Sequence, residues 1–322
     1  MTTEKPKVTV AMAVYKPNAD WFIKQLVSID RQDYSSVELL IWNDSPREFE
    51  CHDIAAKYIQ NIPYKILDNG KNNGVTKAFE NLTQCADGKY IAYSDQDDIW
   101  MPNKISLLVD FMEKNPDCVC CHSDVELINE KDEVVRKSIY PDCLEVINTK
   151  KYQKKIFLVK NWNVGCAMMM NIQAAKAAIP FPVMVYHDQW LEMVAIALGK
   201  FCYVESCLIK HRIHGTNNSQ TLNGIHTKRD YYNIKLARDV DFFKFIREKL
   251  PSIRCETEGK WIEAREQYSR NCNIFTFFTL LSLWKIRPTI TLFELILPLV
   301  PNKLFSKIVE SIQKEVRLLG YR

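Results

Sequence analysis

Tyr90-Ile91-Ala92-Tyr93-Ser94-Asp95-Gln96-Asp97-Asp98-Ile99-Trp100 decides how this chain is read. An apolar run ends on three carboxylates within four positions, and a helix-like segment with Pro102 near its start follows. Like charges so close repel one another and cost stability unless a cation sits among them. Mg²⁺ and Mn²⁺ take oxygen ligands and are commonly shared between one or two carboxylates and substrate phosphates. A solvated acidic turn that caps the next helix explains the same residues. The flanking strand, Trp100 and the motifs described below favour a metal–diphosphate site.

Outward from that stretch, strands alternate with helices. Residues 8–14 form a near-continuous apolar run, as a buried parallel strand does. Residues 19–31 read as an amphipathic helix, 37–42 as a strand, 51–61 as a helix, 64–67 as a strand, 74–86 as a helix and 89–93 as the fourth strand. This order predicts right-handed crossovers and an α/β fold, a mostly parallel sheet flanked by helices. Ligands of such sheets bind beyond the carboxyl ends of the strands, where Asp44 and the acidic cluster both fall. Further strands are predicted over 119–127 and 201–205, with an apolar run at 166–170 and a helix over 188–198. From about 226 the pattern changes to long helical stretches, 228–250 and 257–270.

The chain's 322 residues suit one large domain and an appendage, divided here as 1–225 and 226–322. Residues 225–322 carry 18 Lys/Arg against 11 Asp/Glu, a net of +7, whereas the whole chain is at only +4. A basic tail behind an acidic catalytic half favours anionic surfaces. The opening Met1-Thr2-Thr3-Glu4-Lys5-Pro6-Lys7 is polar, so no export signal is read. The eleven cysteines then fit free thiols in a reducing cytoplasm. Cys118-Val119-Cys120-Cys121-His122 lacks a second Cys/His pair at zinc spacing and reads as a buried strand. Residues 273–301 are rich in Phe, Leu and Ile, yet the uncharged part before Lys285 is too short to span a bilayer, and Pro288, Pro298 and Pro301 break the rest. Either a helical-bundle core or an apolar face dipping into the membrane interface explains them, the latter flanked by Lys285, Arg287, Lys303, Lys307, Lys314 and Arg317.

Four shorter motifs carry chemistry, each with a plainer explanation beside it. Asp44 of Asn43-Asp44-Ser45 can accept a hydrogen bond from a pyrimidine N3–H or simply cap a helix. Asn72-Asn73-Gly74-Val75-Thr76-Lys77 opens a helix whose N–H groups can face an anion, though such strand–helix joints are common. His187-Asp188-Gln189-Trp190 opens another helix, where Asp188 is a base or a cap. Lys210-His211-Arg212-Ile213-His214-Gly215-Thr216-Asn217 gathers two imidazoles and a guanidinium, with Arg212 suited to phosphate oxygens and His214 to a metal, or is simply a polar loop with stray histidines.

Taken in order over residues 7–220, these pieces resemble the family 2 glycosyltransferases of the GT-A fold. The parts that carry the resemblance are Val14-Tyr15-Lys16-Pro17, Asn43-Asp44-Ser45, Asn73-Gly74, Ser94-Asp95-Gln96-Asp97-Asp98-Ile99-Trp100, His187-Asp188 and the late Arg212-x-His214-Gly215-x-Asn217. They look like the rhamnosyl- and glucosyltransferase-like branch that builds bacterial surface polysaccharides. The resemblance implies donor-binding positions at Val14, Tyr15, Asp44, Asn73, Lys77, Asp95 and Arg212. It implies Mn²⁺ or Mg²⁺ held by Asp95, Asp97 and His214, with Asp98 as a supplement, and Asp188 as catalytic base. His187 stands where the family more often has Asp or Glu. The Gln-x-x-Arg-Trp motif of processive synthases is absent after Asp188, which favours one sugar per visit.

The implied reaction is an inverting transfer from a UDP- or dTDP-sugar to a saccharide hydroxyl, the acceptor being polyprenyl-diphosphate-linked at the inner membrane face. A cytoplasmic protein, peripheral on that membrane through residues 226–322, is the matching location. A sugar nucleotidyltransferase would use the same carboxylates, but Val14-Tyr15-Lys16-Pro17-Asn18 lacks its glycine-rich loop. A non-catalytic sugar-nucleotide-binding scaffold would not need Asp95, Asp97 and Asp188 together. Basic residues interleave with acids and form no nucleic-acid patch.

Overall fold

The computed structural model describes residues 4–139, 164–215, 222 and 224–319. They separate into two compact units, one ending at Arg212 and one beginning at Ile213.

In the first unit β1 (Val8–Val14) is almost wholly buried, which is why its sequence is apolar on both faces. It pairs in parallel with β2 (Val37–Asn43) on one side and β4 (Tyr90–Ser94) on the other, and β3 (Tyr64–Leu67) continues the parallel set beyond β2. Between β1 and β2 runs α1 (Ala19–Asp30). The Asn18 side chain caps it by accepting from the N–H groups of Asp20 and Trp21. Phe22, Leu26 and Ile29 recur at helical spacing and are fully buried. Helices α2 (His52–Tyr58) and α3 (Val75–Cys85) follow β2 and β3. Because β1 to β4 are all parallel, the residues after Val14, Asn43, Leu67 and Ser94 gather at one sheet edge.

The expected parallel sheet is therefore present in β1 to β4, and beyond β4 it becomes mixed. After β5 (Ile99–Trp100) and α4 (Lys104–Lys114) come β6 (Cys118–Ile128), the short β7 (Val134–Arg136) beside it, β8 (Met168–Asn171), α5 (Ile172–Ala177), α6 (His187–Leu198) and β9 (Lys200–Arg212). The sheet order is β3-β2-β1-β4-β8-β6-β9-β5. β8 lies antiparallel between β4 and β6, whereas β6 and β9 are parallel. The apolar run at 166–170 had no alternation to give it a direction, because the strand it contains is covered on both faces.

One strand is much longer than its sequence suggested. β9 continues past Glu205 to Arg212, pairing with β6 and then also with β5. Its register against β6 shifts around Ser123 and Asp124, so extra residues are taken up before Val125 meets Ile209. His211 and Arg212, for which a polar loop is the plainer explanation in the sequence, are strand residues. Thr216 and Asn217 of the same motif lie outside the described residues.

The second unit is helical. A turn at Lys228–Asp230, capped reciprocally by Thr227 and Asp230, leads through a π-helical stretch at Tyr231–Leu236 into α7 (Ala237–Lys249). Then come α8 (Glu256–Arg270), α9 (Ile274–Ser282), α10 (Pro288–Ile296) and α11 (Asn302–Leu319). Gly259 lets α8 approach α7, since a Cβ there would fall 1.9 Å from the Phe243 ring. A buried ion network joins four of these segments. Arg265 donates from Nε and Nη2 to the Glu294 carboxylate at 2.7 to 2.9 Å, Nη1 lies 3.1 Å from Asp239 Oδ2, and Tyr231 Oη donates to Glu294 Oε1 at 2.5 Å. Arg265 and Glu294 are buried, so neither can exchange its partner for bulk water.

Removing one member of such a pair leaves the other as a buried uncompensated charge, at a cost of about 3–5 kcal/mol. Glu294→Ala is expected to destabilise the helical unit by that amount, measured as a lower denaturant midpoint by far-UV circular dichroism. Glu294→Gln, which can still accept from Arg265, should lose less; equal loss in both would show that the charge is immaterial.

Candidate active site

The acidic turn after β4 is built from carboxylates that the rest of the first unit holds apart. On one side Gln96 ties it to the end of β1: Tyr15 N–H donates to Gln96 Oε1 at 2.7 Å, and Gln96 Nε2 donates to Tyr15 O at 3.1 Å. From α1 comes the buried amide of Gln25. With its NH₂ toward Asp98 O at 2.7 Å and Ser28 Oγ at 3.0 Å, its oxygen faces Trp100 Nε1 at 3.1 Å and Ser94 Oγ at 2.8 Å. From the end of β9 come two cations. Arg212 Nε donates to Asp97 O at 2.8 Å and its backbone N–H to Asp98 Oδ1 at 3.0 Å, while His211 Nδ1 sits 2.9 Å from the same oxygen.

Arg212 is wholly buried. Its Nη1 reaches Asn129 O at 3.0 Å and Asp132 Oδ1 at 2.5 Å, and its guanidinium lies 5.1 Å from the centre of the Trp21 ring. The planar fork is thus engaged with the turn's backbone and with Asp132, a positioning role.

The charges follow from this packing. Burial raises the pKa of Asp98, but His211, the Cys166 thiol and the Arg212 N–H outweigh it, and the carboxyl stays below its ordinary range. Burial would lower the pKa of His211, yet Asp98 first, then Asp95 and Asp97, lift it to about 9, so the imidazole is a cation at neutral pH. For Asp95 the charge of His211 pulls the same way but does not prevail. Burial, then Asp98 and Asp97, push its pKa up to about 7, and the charge of Asp188 adds to the push. Behind the cluster Lys104 is fully buried. Its Nζ donates to Cys166 O at 2.5 Å and lies 3.5 Å from the centre of the Trp100 ring, and burial brings its pKa down to about 7.

The set fits a divalent cation. Asp98 Oδ2 is buried with no hydrogen-bond partner among the described residues. Donor atoms of Asp95, Asp98, Cys166 and His211 all lie within 4.8 Å of one another. A cation beside Asp95 would also relieve the crowding that raises its pKa. Asp97, nearly buried, is next to this group but not one of the four, and His214 belongs to the second unit.

On the nucleotide side Asp44 follows β2 and is buried. Its backbone N–H donates to Val14 O at 2.7 Å, so Val14 acts through its carbonyl, while the Tyr15 ring is exposed. The Asp44 carboxylate accepts from Asn73 N at 2.8 Å and from Gly74 N at 2.9 Å. Gly74 has φ +81°, which favours glycine, and α3 starts directly after it. Lys77, one turn on, is paired with the buried Glu80, whose other oxygen accepts from Phe181 N at 2.6 Å.

Asp188 is the second residue of α6, and its Oδ1 accepts from Gln189 N at 2.7 Å. His187 is buried and stacked on Phe79 with ring centres 3.8 Å apart, and burial lowers its pKa to about 3. It is a neutral packing residue, which leaves Asp188 as the ionisable group of the pair. Gly165 lies against both: a Cβ there would meet His187 Nε2 at 2.9 Å and Asp188 Cβ at 3.2 Å.

Gln25, Lys104, Cys166 and His211 carried no assigned role in the sequence reading. Gln25 had a signal, a polar side chain within the buried face formed by Phe22, Leu26 and Ile29. For Lys104 and Cys166 there was none, since an isolated Lys near a helix start and a Cys in an apolar run are ordinary.

The model of the family described as "Glycosyl transferase family 2" matches residues 9–178, more than half of the chain, and the chain belongs to that family. It is 27% identical over 236 residues to an uncharacterised glycosyltransferase of Methanocaldococcus jannaschii, covering 72% of this chain and 79% of that protein. It is also 27% identical over 188 residues, 57% of this chain and 67% of the relative, to the Escherichia coli UDP-Glc:alpha-D-GlcNAc-diphosphoundecaprenol beta-1,3-glucosyltransferase WfgD. Among solved structures, S. aureus TarS 1-349 in complex with UDP-GlcNAc superposes with a TM-score of 0.55 at 13% identity, covering 97% of this chain and 85% of that one. That likeness is one of fold.

The His211–Asp98 pair sets a pH window. The pKa of His211 rises from 6.5 to about 9 on folding. Its stabilisation is therefore complete below the unfolded value and is lost as pH climbs from 6.5 to about 9. Over that range chelator-treated wild type should lose on the order of 3 kcal/mol relative to His211→Asn. Denaturant midpoints at both limits measure this, and parallel profiles for the two proteins would remove the ion pair from the account.

Proposed function

We propose that this family 2 glycosyltransferase moves a sugar from a nucleoside diphosphate donor, UDP- or dTDP-linked, to a saccharide hydroxyl with inversion at the anomeric carbon. The observation that carries the reading is the gathering of an undercompensated carboxylate cluster and the helix-borne Asp188 at one edge of the sheet, close enough for Asp188 to raise the pKa of Asp95. Paired titratable groups with separated environments mark a reaction centre.

In this reading the turn made by Asp44, Asn73 and Gly74, with Val14 and Tyr15 beside it, receives the nucleoside, and Lys77 and Arg212 contribute positive charge on the donor side. Asp95 and Asp97 would hold Mn²⁺ or Mg²⁺, which when bound would stabilise negative charge on the departing diphosphate. Arg212, Gln25 and Gln96 keep the acidic turn rigid, so no reorganisation is needed as charge develops. Asp188 accepts the proton of the acceptor hydroxyl as its oxygen attacks the anomeric carbon. Direct attack needs no enzyme nucleophile, so the configuration inverts. The name of WfgD supports a lipid-linked acceptor, and the UDP-GlcNAc complex of TarS supports a nucleotide-sugar donor.

Asp188→Asn tests the base directly. The variant should bind a UDP- or dTDP-sugar with unchanged affinity by calorimetry, while transfer falls by roughly 10²–10⁴-fold, the usual worth of general-base catalysis. A normal rate would place the base elsewhere.

The second unit supports a peripheral membrane role for the same enzyme. Among the described residues no helix is long and apolar enough to cross a membrane. Yet large apolar side chains stand in solvent: Phe275 is 81% exposed, Phe278 58%, Leu292 60% and Leu299 84%. With the excess of basic residues, this surface suits an anionic leaflet next to a lipid-linked acceptor, each nearby cation adding about 1 kcal/mol. Phe275→Asp/Phe278→Asp should remain folded and lose sedimentation with anionic vesicles, and salt should weaken binding of the wild type. Equal binding by the folded variant would assign the face to another role.

A further inference from the structure

The pocket behind Asp95 differs in chemistry from the oxygen-lined site proposed for Mn²⁺ or Mg²⁺. Its other three donors are one carboxylate, one imidazole and one thiol. Cys166 Sγ lies 3.6 Å from His211 Nδ1, and that nitrogen lies 2.9 Å from Asp98 Oδ1. Ligands of one tetrahedral zinc stand about 3.3–3.8 Å apart, as bonds of roughly 2.0–2.3 Å require. The Cys166–His211 separation falls within that spacing, the His211–Asp98 separation is shorter by about 0.4 Å, and Asp95 completes a group of four within 4.8 Å. Asp98 Oδ2 is an orphaned acceptor at the same place, on a side chain with no solvent exposure.

From this the geometry points to a second cation site, formed by Asp98, Cys166 and His211 with Asp95 at its outer side, that takes a thiophilic ion such as Zn²⁺ or Cd²⁺. Thiolate and imidazole select these ions, whereas Mg²⁺ and Mn²⁺ prefer oxygen alone. The charge balance agrees. As the site stands, the imidazolium of His211 neutralises Asp98. A Zn²⁺ ion would displace the His211 Nδ1 proton and the Cys166 thiol proton. The resulting pair of carboxylates, thiolate and divalent ion carries one net negative charge, and the ammonium of Lys104, already on Cys166 O, offsets it. Cys166 is fixed for the task, because its backbone is held by Lys104 and it sits in the tight turn Gly165–Ala167 just before β8. Because Asp95 serves both sites, the consequence for the transfer reaction proposed above is inhibition: a thiophilic ion withdraws Asp95 from the metal on the donor diphosphate.

The test reads binding, so it stands apart from the success of any transfer assay. One equivalent of Cd²⁺ is added to the full chain in excess Mg²⁺, and the cadmium–thiolate charge-transfer absorption is followed. A stoichiometric step is expected in wild type. It should be lost in Cys166→Ser and weakened at least about tenfold in His211→Gln, the lower end of what disturbing a metal's surroundings costs. Rival thiols are Cys118, Cys121 and Cys202, which interact within β6 and across to β9, and Cys118→Ser should leave the step intact. A step that survives Cys166→Ser with full affinity, or that vanishes in Cys118→Ser, overturns the site. X-ray absorption at the zinc edge of wild type with one equivalent of Zn²⁺ needs no variant. One sulfur at about 2.3 Å among nitrogen and oxygen neighbours is expected, and a shell with no sulfur, or with two or more, overturns it.

Discussion

Three carboxylates in four residues would not stay together without the two cations that close on them from the end of β9. Coulomb repulsion at such spacing is large wherever water is excluded, and the turn is buried at Asp97 and Asp98. His211 pairs with the Asp98 carboxylate, and Arg212 grips the Asp97 carbonyl. The remaining geometry of the first unit serves to deliver these two residues. β9 must be long enough to reach β5, and its register shift near Asp124 decides which of its residues arrive at the turn. A strand one residue out of step would present the opposite face, and the carboxylates would meet Lys210 or Arg212 in place of the imidazole.

This constraint explains what could be read in the chain and what could not. β1 and β3 were legible to the residue, and α1 and α3 nearly so, because their apolar spacing is local and strong. The acidic turn was legible as a site because its composition makes no sense in a core. Its partner was not: Asp98 and His211 are 113 residues apart, and Lys210-His211-Arg212 has neither alternation nor β-branched residues to announce a strand. Propensity favours a loop there, and pairing with β5 and β6 overrides it. The direction of β8 was illegible for the opposite reason, since a strand buried on both faces has no pattern at all.

The second unit uses charge differently. Arg265, Glu294, Asp239 and Tyr231 satisfy one another inside a helical bundle, and nothing in that network is left unpaired to meet a ligand. Its surface carries the opposite anomaly, aromatic and aliphatic side chains left in water beside an excess of cations. Large apolar side chains exposed in number often mark an interaction surface. The sequence showed the apolar run, but whether it faced inward depended on helix packing that periodicity over short, proline-broken segments does not fix.

Comparing the carboxylates of the first unit suggests how to separate those that shape this protein from those that act. Asp98 and Asp44 are deeply buried and matched by protein donors, namely His211 and the Arg212 N–H for one, and the N–H groups of Asn73 and Gly74 for the other. Their charge is largely spent on holding backbone in place. For Asp95, burial and the like charges of Asp98 and Asp97 outweigh the pull of His211, and its raised pKa records the deficit. A protein that tolerates such a deficit at a half-buried position, with Gln25, Gln96 and Arg212 fixing the surrounding turn against relaxation, carries an electrostatic demand that a bound cation or a changing substrate charge can meet. That demand, more than the count of acidic residues, is what distinguishes this edge of the sheet as a reaction centre.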